Sequence, residues 1–241
     1  MAKKTLLSII FLIVILQYGC MYPQSEKMKN APPHEDQIKT VQQGIDQYQK
    51  DQGGMLPIHE RDNDTQDYLQ HPIDFNKMLP KYLNEIPQNS YEKGGYYQYI
   101  IMDVDEDPTV YVADLRISEV LKDLRIKLTA SDQPLSLGKK VGANLYEIDY
   151  EAYGIDEPPM VDSPYSDEKL PVYMNGGNEF IVDYRIDLNK MFTPDELKQY
   201  KGEKINHLLY KELPILPIHS PDYTVDKTGE IVLKTSLNSK K

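Results

Sequence analysis

The 241-residue sequence contains no tryptophan, and its single cysteine is Cys20. One cysteine cannot build a disulfide framework, and beyond Cys20 no thiol is available for catalysis or metal binding. The fold must therefore rest on an apolar core, which a chain of this length can bury. Positive charge is also scarce, because 27 lysines and arginines stand against 38 aspartates and glutamates. The formal net charge of −11 argues against nucleic acid as a partner, since that binding requires clustered basic residues.

Common catalytic motifs are missing as well. The sequence has neither Gly-x-Ser-x-Gly nor His-Glu-x-x-His, the signatures of a serine hydrolase and of a zinc protease. Neighbouring acids such as Asp156 and Glu157 are numerous, but sequence alone does not distinguish a glycosidase pair from a solvated face. We therefore predict no catalytic and no cofactor-binding residue, and we expect a protein that is not an enzyme.

Two acidic segments have the composition of a metal site without its spacing. The loop from His59 to His71 combines two histidines with several acids, but it matches no recognised ligand set. The acidic turn that begins at Asp103 has Pro108 at its sixth position, where a calcium loop of the EF-hand type needs glycine. We predict no metal site in either segment.

The sequence has no long apolar run, but a short one stands near the N-terminus. Lys3 and Lys4 precede apolar residues from Leu6 to Leu16, and Gly19-Cys20 follows. A helix over that run would span about 16 Å, well short of a bilayer core of roughly 30 Å. We predict an export signal over residues 1–19, and an uncleaved membrane anchor is the alternative.

This segment resembles a bacterial lipoprotein signal in its basic start, apolar core and Gly19-Cys20 end. In that family the cysteine thiol receives a diacylglyceryl group, a peptidase cuts before the cysteine, and the new N-terminus is usually acylated. The resemblance implies lipid attachment (palmitate among the acyl chains) at Cys20. It also implies a location on the outer face of the cell membrane, where two acyl chains hold a protein stably.

Composition divides the rest of the chain into a tether and two parts. Residues 20–33, the lipidated cysteine and a polar, proline-bearing stretch, are predicted to form a flexible tether. Residues 34–128 are predicted to form a helix-plus-hairpin α+β subdomain. Residues 129–241 are predicted to form a second, β-rich subdomain.

The clearest element is an amphipathic helix over residues 34–50. Its apolar residues recur at spacings of three and four and are Ile38, Val41, Ile45 and Tyr48. We expect this stripe to be buried. Glutamines on the other face are expected to be unimportant for stability, as surface residues usually are; they are Gln42, Gln43 and Gln49.

Strand and turn patterns fill the remaining sequence. Residues 96–104 and 109–117 are predicted to form a β-hairpin, and residues 118–127 a short helix capped by Ser118. After an Asn-Gly-Gly turn, residues 179–188 are predicted to form a further strand.

Near the C-terminus, Thr193-Pro194 is predicted to begin a helix, and residues 223–233 to form a last hairpin. The predicted fold is therefore α+β. An N-terminal amphipathic helix packs on antiparallel hairpins, and the length allows two small subdomains.

One hexapeptide occurs nearly twice. Residues 73–78 recur as residues 186–191 with five identities in six. Duplication of a domain and coincidence both account for a match of this length, and both hypotheses stay open.

Residues 36–101 carry features of a second known group. The motifs are Tyr48-x-x-x-x-Gly53, Leu56-Pro57, Tyr82-Leu83-x-x-Ile86-Pro87 and the strand that begins at Tyr96. In these motifs the segment resembles the body of a pilin or pseudopilin. The resemblance implies a shared local fold. It does not imply filament assembly, because Cys20 stands in place of a pilin cleavage site.

Three features extend a resemblance over the whole chain: Gly19-Cys20, the tether, and the glutamine-rich helix that leads to residues 53–58. In these features the chain is similar to the YphF-like proteins, cell-envelope lipoproteins of Gram-positive, Bacillus-type bacteria. The resemblance implies a location and no specific activity.

Three functions are compatible with these patterns. The first is a membrane-anchored, extracytoplasmic lipoprotein that acts as a non-catalytic interaction or scaffold module, with an envelope protein as partner. The second is the solute-binding lipoprotein of an ABC importer, although the chain shows no alternating strand–helix series. The third is an envelope hydrolase. An enclosed pocket would favour the second function, and a flat acidic surface would favour the first.

Overall fold

The structure is a computed structural model that describes residues 35–59, 61, 65–131 and 133–234. The predicted signal peptide, the lipid attachment site at Cys20 and the tether lie outside the described residues. Within them no helix has the length and apolar character needed to cross a bilayer. The helices are α1 (Glu35–Asp51), α2 (Phe75–Met78), α3 (Leu115–Ala130), α4 (Arg185–Met191) and α5 (Pro194–Leu197).

The strands form several small sheets, so the α+β class predicted from the sequence is confirmed. One sheet has the order β1-β2-β9 and another the order β3-β4-β7-β8, while β5-β6 and β10-β11 are two-stranded ribbons. The strands are β1 (Tyr97–Met102), β2 (Thr109–Asp114), β3 (Leu137–Gly142), β4 (Leu145–Ile148), β5 (Val161–Asp162), β6 (Lys169–Leu170), β7 (Val172–Asn175), β8 (Phe180–Val182), β9 (Ile215–Leu216), β10 (Asp222–Val225) and β11 (Ile231–Lys234).

Helix α1 buries its apolar stripe as predicted. Ile38, Val41 and Ile45 are buried, and Tyr48 is half-buried with its ring edge-to-face against Tyr82 at 5.1 Å. Close packing also explains Gly44, since a Cβ at that position would lie 2.7 Å from the Tyr82 carbonyl oxygen. The helix therefore packs directly on the chain that surrounds the β1–β2 hairpin.

Gln42 corrects one expectation, because its side chain contributes to this packing. Its Oε1 accepts the backbone N–H of Val110 over 2.7 Å, and its Nε2 donates to Pro108 O over 2.9 Å. The amide thus binds a strand edge that would otherwise be unpaired, while Gln43 is exposed. Helical periodicity shows which face a residue occupies, but not whether a long polar side chain reaches across to a strand.

The chain turns repeatedly from a strand into a helix at an aspartate. Asp114 ends β2 and accepts the N–H of Arg116, so α3 begins at Leu115 rather than at the predicted cap Ser118. Asp183 follows β8 and accepts the N–H of Arg185, so the strand predicted to run to residue 188 ends at Val182. A short side chain that accepts a backbone N–H two residues ahead competes with continued strand pairing.

Each of these aspartates also holds an arginine in the same way. The guanidinium group of Arg116 donates to both carboxylate oxygens of Asp114, and Arg185 does the same to Asp183. Both carboxylates are about 95% removed from solvent, with 6% and 5% of the side chain exposed. Bidentate pairs of this kind are geometrically specific and fix the direction of each helix.

The two copies of the repeated hexapeptide adopt different structures. Asp74, in the first copy, is the N-cap of α2, whereas Asp187, in the second, lies inside α4. In the second region it is Asp183, outside the hexapeptide, that accepts a backbone N–H two residues ahead, as Asp74 does from Asn76. The hexapeptides are therefore not structurally equivalent, and they do not support duplication.

The two predicted subdomains share a sheet. Strand β9, near the C-terminus, pairs in parallel with β2 through Val112↔Ile215 and Ala113↔Leu216. Ile215 belongs to the apolar core under α1, and Leu216 to the larger core of the remaining sheets. The boundary between residues 128 and 129 stays a prediction about evolutionary or folding units.

The Gln42 contact gives a test of this packing. Replacing Gln42 with Ala leaves the buried N–H of Val110 without an acceptor, which typically costs about 1–3 kcal/mol. Gln43→Ala, one residue away on an exposed site, should change the free energy of unfolding by less than about 0.5 kcal/mol. Denaturant unfolding of the two full-length variants measures the difference. Equal stabilities would show that the Gln42 amide does not support the strand.

Candidate functional site

The structure separates the two histidines of the polar loop. His59 Nε2 lies 3.5 Å from Asp74 Oδ1, beside the α2 cap, whereas His71 lines a surface depression with residues of the β1–β2 turn. Among the described residues, no group of three or more histidine, cysteine, aspartate or glutamate side chains is placed to hold a metal ion.

The depression brings together two acidic segments that are distant in sequence. It has a volume of about 300 Å³ and opens to solvent. The turn between β1 and β2 forms one side; there Asp103 adopts a positive φ of 52°, and its carbonyl oxygen accepts the N–H groups of Glu106 and Asp107. The lining residues are Asp67, Gln70, His71, Met102, Asp103, Val104, Asp105 and Glu106.

The carboxylates of this depression form no ion pair with any described residue. None of the ion pairs between described residues involves Asp67, Asp103, Asp105 or Glu106. The described residues that line the depression include no lysine or arginine. The aspartates at the helix junctions, by contrast, each hold an arginine. Negative charge is therefore concentrated and uncompensated at this place on the surface.

Three partly buried tyrosines adjoin the acidic turn. The ring of Tyr210 meets Tyr111 edge-to-face at 5.2 Å and Tyr68 at 6.0 Å. Burial raises the pKa of Tyr111, and the carboxylates of Asp103 and Asp107 raise it further. The hydroxyl of Tyr111 therefore lies within electrostatic reach of the turn, and its raised pKa keeps it neutral at physiological pH.

We call this surface the acid–tyrosine face; it consists of Asp67, Tyr68, His71, Asp103, Asp105, Glu106, Tyr111 and Tyr210. Carboxylates attract cations from a distance, and tyrosine rings bind ammonium and guanidinium groups over their faces. The Nδ1 atom of His71 is buried without a hydrogen-bond partner in the described part of the chain. The chemistry of the face suits positively charged groups.

A second polar cluster, Ser118, His219 and Gln66, resembles a catalytic triad in composition. Ser118 Oγ lies 3.0 Å from His219 Nε2, and Gln66 Nε2 lies 2.6 Å from His219 Nδ1. The backbone N–H of His219 donates to Gln66 Oε1 over 2.9 Å, which fixes the orientation of the amide.

That orientation decides the chemistry of the cluster. Gln66 donates to Nδ1, so Nδ1 is the acceptor and the ring proton resides on Nε2. His219 therefore donates to Ser118, whereas a triad histidine accepts the serine proton. Burial lowers the pKa of His219 to about 4, which keeps the ring neutral. The cluster joins the loop before α2 to helix α3 and supplies no general base.

A larger open depression lies near α4 and α5, but three of its four described charged lining residues form ion pairs, Glu230 being the exception. Its volume is about 680 Å³, and its walls include Asp183 and Arg185, which pair with each other. Lys190, also in the wall, pairs with Glu168. The acid–tyrosine face is therefore the stronger candidate for a functional surface.

In the sequence, the loop and the turn are separate acidic stretches, and neither has the spacing of a metal site. Their proximity depends on backbone hydrogen bonds between the end of the loop and β1, from Ile73 N–H to Tyr99 O and from Ile101 N–H to His71 O. No local sequence pattern predicts these bonds. The sequence features that indicate this surface are the acid–tyrosine pair Asp67-Tyr68 and the clustered acids that begin at Asp103.

Comparison with known proteins gives one match. Residues 34–114 match the profile described as the YphF family N-terminal domain. No curated protein and no solved structure shows a significant match to the chain. The matched range contains α1, the β1–β2 hairpin and the acidic turn, so this part of the chain is similar to that domain, as the sequence resemblance predicted.

Proposed function

We propose that this protein is a lipid-anchored lipoprotein on the outer face of the cell membrane, where it acts as a non-catalytic interaction or scaffold module. The acid–tyrosine face is the surface through which it binds a basic protein partner in the envelope. The observation that carries this proposal is a set of four carboxylates with no basic partner among the described residues, beside three edge-to-face tyrosines.

The composition of the face suits protein recognition. Tyrosine is enriched where proteins bind each other, because it supplies a large rigid ring with a polar tip. Uncompensated charge speeds encounter with an oppositely charged partner and excludes partners of like charge. Lysine or arginine side chains of a partner would meet both the carboxylates and the rings.

The other two functions receive less support. A solute-binding site normally surrounds most of its ligand, but both of the best-formed depressions among the described residues are open. A hydrolase of the serine type needs an activated nucleophile, and His219 donates to Ser118 instead of accepting its proton. Neither alternative has a specific observation in its favour.

The partner surface can be tested by reversing charge at the face. A photo-crosslinking residue at Tyr111 should capture an envelope protein in living cells. We expect Asp105→Lys with Glu106→Lys to abolish the adduct, and raised salt to weaken it, because the attraction is electrostatic.

The matched control is Asp156→Lys with Glu157→Lys, which makes the same change in charge at another exposed loop. It should leave the adduct intact. Loss of the adduct in both double variants would show a general effect of net charge, and its retention in both would exclude the acid–tyrosine face.

The anchor can be tested at Cys20. Wild-type protein should incorporate labelled palmitate and remain with the membrane, and Cys20→Ser should remove the label and leave an uncut precursor. Adding Ser25→Cys to Cys20→Ser restores a thiol in the tether without restoring the signal, so it should not restore labelling. An unlabelled wild type whose membrane attachment survives Cys20→Ser would identify an uncleaved membrane span.

A further inference from the structure

Two serines in the loop between β5 and β6, residues 163–168, are bound to helix α4 through one carboxylate oxygen. The hydroxyls of Ser163 and Ser166 both donate to Asp187 Oδ1, over 2.8 and 2.6 Å. Ser163 Oγ accepts the N–H groups of Tyr165 and Ser166, and Ser166 Oγ accepts that of Glu168. Each hydroxyl has a single proton to donate, so both serines depend on Asp187.

Asp187 is poorly placed to carry a charge. The residue is 1% exposed, and its Oδ2 atom is buried without a hydrogen-bond partner in the described structure. Burial raises the pKa of Asp187; the serine hydrogen bonds and Lys190 oppose this rise, and Glu168 adds to it. Because Lys190 pairs with Glu168, it compensates the charge of Asp187 only in part.

Besides Lys190 on its own helix and Glu168 in the loop, Asp187 has two tyrosine hydroxyls as neighbours, and both are neutral. Tyr165, in the loop, and Tyr184, next to α4, both have a pKa raised well above the usual value, first by burial and partly by the Asp187 carboxylate. Neither tyrosine titrates in the range where Asp187 does. Across that range the local charge is therefore set by Asp187, Glu168 and Lys190.

The loop carries Tyr165 into the seam between the two apolar cores. The Tyr165 hydroxyl donates to Ile215 O over 2.6 Å, and its ring lies 5.9 Å from that of Tyr184. Tyr165 packs against both cores. Tyr68 and Tyr210, two rings of the acid–tyrosine face, pack against the larger of these cores, as Tyr165 does.

We propose that residues 163–168 form a strap that is closed when Asp187 carries a proton and loosens when Asp187 is ionised, so that external pH controls access to the seam. Opening exposes Oδ2 to water. Hydration stabilises an ionised carboxylate more than a neutral carboxylic acid, so ionisation favours the open strap. Closure is strongest at pH values below the ordinary aspartate pKa of about 3.9. It weakens as the pH rises from there to the raised pKa that Asp187 has when the strap is closed. Within that window the opening constant rises by up to about tenfold per pH unit.

Hydrogen exchange of the loop amides in the full-length protein tests the strap, with amides of β1 as an internal reference. Wild-type loop protection should fall by up to about tenfold per pH unit within the window and then level off. Asp187→Asn keeps an oxygen acceptor and cannot ionise, so its loop protection should be independent of pH. The matched control Asp167→Asn removes an exposed carboxylate from the same loop and should behave as wild type.

The same pH profile in wild type and Asp187→Asn would overturn the proposal, and so would a profile altered by Asp167→Asn. If Asp187→Asn does not fold, Ser166→Ala provides the test. It should increase loop exchange at every pH and keep the pH dependence; unchanged exchange would contradict the strap. The measurement requires no partner, so its failure would leave the proposed function of the acid–tyrosine face untouched.

Discussion

The whole arrangement depends on one short segment, Pro214 to His219, which is buried from Ile215 to Ile218 and is irregular apart from the two residues of β9. Buried peptide groups outside regular structure need specific hydrogen-bond partners, or they destabilise the fold. Here the partners come from both halves of the chain: Val112 N–H donates to Pro214 O, and Val182 N–H donates to His219 O. One short segment thereby joins the β1-β2-β9 sheet to the β3-β4-β7-β8 sheet.

Tyrosines complete the same set of hydrogen bonds. Tyr165 donates its hydroxyl proton to Ile215 O, and Tyr184 donates to Ile218 O. Each ring fills apolar space, while its hydroxyl reaches a backbone carbonyl of this segment. This use of tyrosine explains part of the high tyrosine content of a chain without tryptophan. The composition reflects an interior with polar backbone to satisfy, as well as half-exposed surfaces.

Elements with local signals could be predicted from the sequence, and elements that depend on distant partners could not. Helix α1 followed from its apolar period, and the last hairpin from its Asp-x-x-Gly turn. The parallel pairing of β9 had no local signal, because a strand of two residues is too short to show a pattern and is defined only by its pairing with β2. The sequence Leu-Pro-Ile does occur three times, at residues 56–58, 213–215 and 216–218. Each copy closes a tight turn from isoleucine N–H to leucine oxygen, and this repeat would have drawn attention to the segment.

The candidate site shows the same division. Each acidic stretch was visible in the sequence, but the acid–tyrosine face requires Tyr210 to lie against Tyr111, about a hundred residues away along the chain. That approach follows from the course of the chain just before Pro214. The buried segment thus shapes the proposed docking surface on one side and holds the Tyr165 strap on the other.

The most direct test of this account is whether the two sheets unfold together. Leu216 is fully buried in the segment, and Leu216→Ala should destabilise the protein by about 2–5 kcal/mol. Hydrogen exchange can follow the amides of β1 and β7 separately in the full-length variant. We predict that both strands lose protection by the same factor and unfold in one transition. Loss of protection in only one strand, or two separate transitions, would contradict the account.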